Sequence, residues 1–158
     1  LVPGCGLGHD VRLLAGQGAS PTGLDLAPIA IERARSIPAV GCEIYRVEDF
    51  LNLPGDLYGA FDVVFEHTLF CAIPPIQRVA YIRAAHNAIR EGGSLLAIFF
   101  LEIEDPEGPP FPSTHAEIDE LFHPCFDTVA CWSPRSAYPG RENCEEMRIM
   151  RKKQSIPS

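Results

Sequence analysis

The chain has 158 residues, of which 46% are hydrophobic and 22% charged, the composition of one globular domain with its own core, and this excludes disordered, collagen-like and coiled-coil architectures. Thirteen Lys and Arg against 21 Asp and Glu leave a net charge of -8, a field that repels polyanions, so nucleic acid is not expected as a partner. The longest apolar run, Ser94 to Ile103, contains Glu102 and has the length of a buried strand; nothing approaches the roughly 18 apolar residues of a membrane helix, and no membrane partner is expected.

Leu1-Val2-Pro3 reads as the end of a buried strand whose earlier residues are missing, running into the glycine-rich turn Gly4-Cys5-Gly6-Leu7-Gly8. The spacing of Val11, Leu14 and Ala15 predicts a helix from His9 to Gly16. A short strand, Thr22 to Leu26, follows, and Pro28 opens a helix to about Ser36 at a first-turn position where its missing N–H costs nothing. Glu43 to Val47 and the β-prone Phe61 to Phe65 are the third and fourth strands. Ile76, Val79, Ile82 and Ile89 mark an amphipathic helix from about Pro75 to Arg90, closed by Gly92-Gly93. The fifth strand is Ser94 to Leu101. A proline-rich loop, Glu104 to Pro112, leads to Thr114-His115-Ala116-Glu117, a capping-box pattern that starts a helix to about Phe122. Phe126 to Trp132 and Glu145 to Arg151 alternate as two strands of a closing hairpin. The basic cluster from Arg148 to Lys153 reads as an edge strand with solvated charges.

Alternating strands and helices predict a doubly wound α/β domain over residues 1–158, with a mostly parallel seven-stranded sheet and an antiparallel hairpin strand added at one edge. Six cysteines without a C-x-x-C pair give no zinc spacing, and a chain large enough to make a core needs no disulfide framework. Reduced thiols, no metal and a cytoplasmic monomer are expected, and the N-terminus carries no export signal.

Doubly wound sheets bind ligands at the carboxyl ends of their strands. The glycine turn lets the backbone approach a ligand closely, but His9 stands where a dinucleotide fingerprint would have its third glycine, which disfavours a nicotinamide cofactor. Asp25, at the end of the second strand, is placed to accept from both hydroxyls of a ribose; as an isolated residue it would read as a helix cap, and its pairing with the glycine turn favours the ribose. Asp49-Phe50, after the third strand, offers an acceptor for an exocyclic amine beside a ring that can pack on a base, or a turn acid beside a core aromatic.

These features resemble class I S-adenosylmethionine-dependent methyltransferases, and more narrowly the thiopurine S-methyltransferase family, which includes plant thiol and halide methyltransferases. The resemblance is carried by Val2-Pro3-Gly4-Cys5-Gly6-Leu7-Gly8-His9-Asp10, Thr22-Gly23-Leu24-Asp25, Phe70-Cys71-Ala72-Ile73 and Gly108-Pro109-Pro110-Phe111. It implies a Rossmann-like fold, S-adenosylmethionine as cofactor, and methyl transfer by in-line displacement to a small soft nucleophile: a thiol, thiopurine, halide or thiocyanate. By position it puts Gly4 and Gly6 against the amino-acid part of the cofactor, Asp25 and Leu26 at its ribose, Asp49 and Phe50 at its adenine, and Glu66 and His67 beside its methionyl end. Pro110 and Phe111 would border the acceptor. An O- or N-methyltransferase, or a non-catalytic cofactor-binding fragment, is the alternative. His67 and His115 are the base candidates near strand ends, although surface or capping histidines are the commoner outcome.

Overall fold

The computed structural model describes residues 1–101, 108–136 and 141–154. Among these the chain forms β1 (Val2–Pro3), α1 (His9–Gly16), β2 (Thr22–Asp25), α2 (Pro28–Ser36), β3 (Ile44–Val47), β4 (Phe61–His67), α3 (Arg78–Ala88), β5 (Ile89–Phe100), α4 (His115–Phe122), β6 (Phe126–Trp132) and β7 (Glu145–Lys152). A 3₁₀ turn, Phe50–Asn52, follows β3, and another, Pro75–Gln77, leads into α3.

The strands form two ladders, β1-β2-β3 and β4-β5-β7-β6, and Leu1 joins them. Its nitrogen donates to Val63 O at 2.7 Å and its carbonyl accepts from the Phe65 amide at 2.8 Å, the slanted pattern of a parallel pair. The sheet thus reads β3-β2-β1-β4-β5-β7-β6 and reverses direction of growth between β1 and β4, where open α/β sheets take their ligands.

Helices cover both faces. On one, Val11 of α1 and Ile31 and Ala34 of α2 pack on Val2, Tyr45 and Phe65. On the other, Leu95, Ala97 and Phe99, which share one face of β5 by strand alternation, are buried beneath α3 and α4. Phe70, Tyr81, Phe99 and Phe122 form an edge-on and tilted cluster there, with centroids 5.2 to 5.4 Å apart; each such pair adds about 0.5–1.5 kcal/mol to its burial. The capping box at α4 is half formed: the Glu117 amide donates to Thr114 Oγ1 at 3.1 Å, while the Glu117 carboxylate pairs with the buried Arg78.

Two expectations are corrected. The antiparallel strand is not at the edge: β7 lies between β5 and β6, antiparallel to both, and β6 is the edge. Arg148 is therefore not solvated; it is 3% exposed and paired with Glu146 and Asp119. The second correction concerns α3, which stops at Ala88 instead of Arg90, because the fully buried Ile89 turns extended and pairs with Phe61. Gly92-Gly93 lies inside β5, where a side chain on Gly93 would sit 2.6 Å from Asp62 O. Among the described residues no helix is long and apolar enough to cross a membrane.

Candidate functional site

At the reversal point, the ends of β1, β2, β3 and β4 surround a cleft of about 380 Å³, within the size range of small-molecule sites. Gly4, Asp25, Leu26, Asp49 and Phe50 all line it, so five of the sequence-predicted positions come together. Gly4 has φ 62°, and a Cβ there would lie 3.0 Å from Leu69 across the opening; only glycine leaves this passage free without strain.

Asp25 is held from two sides. Its Oδ2 accepts from the Gly6 amide at 2.8 Å and its Oδ1 from the Ala27 amide at 2.9 Å, so one carboxylate both fixes the glycine turn and opens α2. Each oxygen keeps a further lone pair for a ligand hydroxyl. Asp49 likewise caps the turn after β3, accepting from the Leu51 amide at 2.9 Å and from the Asn52 side chain. Phe50 is 4% exposed and packs against Tyr81 at 5.2 Å, so only its rim meets the cleft. Leu26, 67% exposed, adds apolar surface to the cleft lining.

Glu66 and His67 are consecutive and therefore leave β4 on opposite faces. Glu66 does not reach the cleft: it is fully buried behind it, accepting from the Phe70 amide at 2.8 Å and from the Tyr81 hydroxyl at 2.5 Å. Burial pushes its carboxyl up to about 7, against the pull of those two donors. Its structural effect is to hold the turn that carries Leu69 and Phe70. His67 lies on the α1 side, where its Nδ1 meets Asp10 Oδ2 at 3.0 Å. That carboxylate raises the imidazole above its ordinary value of 6.5, with burial opposing.

His67 lines a second cleft of about 580 Å³ with Thr68, Ile98, Arg141, Glu145 and Met147. Thr68 lines both clefts, and it does so in the left-handed region, at φ 74°, an outlier for a β-branched residue that marks a site held under local strain.

The remaining expected positions fall elsewhere. His115 is 65% exposed and pairs with Glu146 at 2.7 Å on the α4 and β7 surface. Pro110 and Phe111 line neither cleft; the Phe111 amide donates to Cys71 O at 2.6 Å and its carbonyl accepts from Arg78. Residues 102–107 of the loop expected at the acceptor lie outside the described residues. Leu69 and Asp10 escaped sequence reasoning, the first because an apolar residue after a strand carries no signal, the second because its partner is distant in sequence. Cys5 and Cys71 stand near the first cleft, but burial pushes their thiols up to about 12 and about 11, so neither competes as a nucleophile.

The fit to S-adenosylmethionine is good on this geometry: a glycine-walled passage, a carboxylate at the end of β2, a second after β3, and apolar surface from Leu24, Leu26, Phe50 and Ile73 between them. Comparison with known proteins gives the same direction. Residues 1–156 match the family model described as thiopurine S-methyltransferase. The chain is 28% identical, over its whole length, to the probable thiol methyltransferase 2 of Arabidopsis thaliana, covering 71% of that protein. It is 31% identical, over 78% of its length, to thiocyanate methyltransferase 1 of Brassica oleracea, covering 56% of it. Among solved structures, a methyltransferase from Methanosarcina mazei superposes with a TM-score of 0.78 over 96% of this chain and 90% of its own, at 19% identity. The 1,6-didemethyltoxoflavin-N1-methyltransferase of Burkholderia thailandensis, solved with S-adenosylhomocysteine, does so with a TM-score of 0.74 over 98% and 70%, at 18% identity. These two likenesses establish the class I methyltransferase fold.

Proposed function

The chain belongs to the thiopurine S-methyltransferase family of S-adenosylmethionine-dependent methyltransferases, and from that premise we propose that it methylates a small soft nucleophile, a thiol or thiocyanate, held in the second cleft. The observation that carries this reading is the shared Thr68: it lines both clefts, and on this reading a donor in one and an acceptor in the other face each other across it. The relatives named for thiols and for thiocyanate support the acceptor class.

S-adenosylmethionine, when bound, supplies a methyl group on a sulfonium that leaves as a neutral thioether. The protein's own task is then positioning. Gly4 and Gly6 give the amino-acid end a close backbone approach. Asp25 accepts from the ribose hydroxyls, and Asp49 with the rim of Phe50 receives the adenine. Glu66, buried behind the Leu69-Phe70 turn, keeps that wall in place. In the second cleft, Ile98 and Met147 offer the apolar, polarisable surface that suits a sulfur nucleophile and sheds water from it.

Calorimetry with S-adenosylhomocysteine, followed by a methyl-transfer assay with thiocyanate and with 2-mercaptoethanol, tests the proposal. Binding together with turnover of at least one acceptor is the expected result. Tight binding of S-adenosylhomocysteine without turnover of either acceptor removes the soft-nucleophile reading and leaves the cofactor site standing.

A further inference from the structure

We propose that Asp10 and His67 form a proton-accepting pair at the acceptor cleft, with His67 as the base and Asp10 as its positioning residue, so that the acceptor is a protic thiol whose proton the protein itself removes. The inference rests on the reading of the second cleft given above and specifies the chemistry of its ligand.

The geometry comes from two elements that meet only in the fold. Asp10 lies in the first turn of α1 and His67 ends β4. Their contact, Nδ1 to Oδ2 at 3.0 Å, fixes the ring with its Nδ1 proton toward the carboxylate and leaves Nε2 as the basic nitrogen. The side chains are 34% and 32% exposed and His67 lines the cleft, so the ring is held in the wall without being sealed from it. A carboxylate that sets the tautomer of a histidine and stabilises its protonated form is the arrangement by which an imidazole takes a proton from a nucleophile.

A halide or thiocyanate gives such a pair nothing to do. A thiol as acidic as free cysteine, with a pKa of roughly 8.5, is mostly protonated at neutral pH, a simple alkyl thiol more so, and either is nucleophilic only as thiolate. The step is a proton transfer: the S–H bond breaks with its electron pair staying on sulfur, the proton goes to Nε2, and the imidazolium later returns it to water. No oxidation or reduction is involved. Among the described residues the charged groups around the ring are Asp10 from α1, Glu145 and Arg141 across the cleft, and Glu66 beside it on β4. The acidic neighbours hold the imidazole above 6.5, closer to the working pH, where a general base is most effective.

The test compares wild type with Asp10→Asn, Asp10→Glu and His67→Gln on 2-mercaptoethanol and on thiocyanate. Asp10→Asn and His67→Gln are expected to lower kcat/KM for the thiol by about 10- to 100-fold more than they lower it for thiocyanate, and Asp10→Glu is expected to recover part of the loss. NMR titration of His67 gives a readout independent of turnover: its pKa should fall in Asp10→Asn, and the acid limb of the thiol rate profile should move to lower pH with it. Equal loss on both acceptors would assign the pair to support of the fold. Unchanged thiol turnover in both variants would remove the base. If wild type turns over neither acceptor while binding S-adenosylhomocysteine, the acceptor cleft itself falls, and this inference with it.

Discussion

The Gly6 amide donates to the Asp25 carboxylate at 2.8 Å, so the turn after β1 and the end of β2 are held together by the side chain that faces the cleft. The proposed ribose contact and the local stability of the turn therefore fall on one residue. Asp25→Ala removes a charged acceptor from two backbone amides, each such bond being worth about 1.5–3 kcal/mol, and is expected to weaken S-adenosylhomocysteine by tenfold or more while lowering Tm. Asp25→Asn keeps one acceptor oxygen and should lose less of both. Calorimetry and thermal unfolding of the two variants measure this, and an unchanged dissociation constant in Asp25→Ala would sink the ribose assignment.

Asp49 caps the Phe50–Asn52 turn and is assigned the adenine amine as well. Asp49→Ala is expected to cost about 1 kcal/mol of stability, as loss of an N-cap does. Asp49→Asn keeps the capping oxygen, so its Tm should stay near wild type while its preference for adenosine-type over inosine-type analogues narrows. Urea unfolding and competition binding separate the two roles, and an intact preference in Asp49→Asn leaves Asp49 as a cap alone.

Glu66 gives the protein a pH dependence of definite sign. Its carboxyl is raised to about 7 from an ordinary value of 4.5, so between those values the folded state holds a proton that the unfolded state has released. The stability from this group is complete below pH 4.5 and falls as pH rises through 7. Glu66→Gln can still accept from Phe70 and donate to Tyr81 with no charge to desolvate. Urea unfolding at pH 5 and pH 8 should show a decline in wild type attributable to this residue and a flatter profile in Glu66→Gln; parallel profiles would contradict it.

Arg148 and Arg151 share β7 with unequal surroundings. Arg148 is 3% exposed and pairs with Glu146 and Asp119, so Arg148→Ala leaves buried Glu146 short of a partner and should cost roughly 3 kcal/mol. Arg151 is exposed and, among the described residues, makes a long 3.5 Å contact to Gly92 O; Arg151→Ala should stay within about 0.5 kcal/mol. Chemical denaturation of the pair checks the contrast.

The order of strands and helices was legible because each element is short and carries its own period: Val11, Leu14 and Ala15 declare a helix, and Leu95, Ala97 and Phe99 a strand face. Glycine and acid at the strand ends pointed to the cleft for the same local reason. What escaped was non-local. The place of β7 depends on pairing with β5, and nothing in the basic residues from Arg148 to Lys153 distinguishes an interior strand from an edge. Glu66 and His67 read as one polar cluster in sequence, yet strand alternation sends one to Tyr81 and the other to Asp10.

The placement of β7 between β5 and β6 also sets an order of events in synthesis. The edge strand β6 leaves the ribosome before the strand that must lie between it and the rest of the sheet. Until β7 arrives, β5 has an open hydrogen-bonding edge beside the half-buried apolar side chains of Leu96 and Ile98, a template for pairing with another nascent chain. Aggregation during expression should therefore respond to substitutions in β7 that weaken its pairing with β5, even where these leave the cleft untouched.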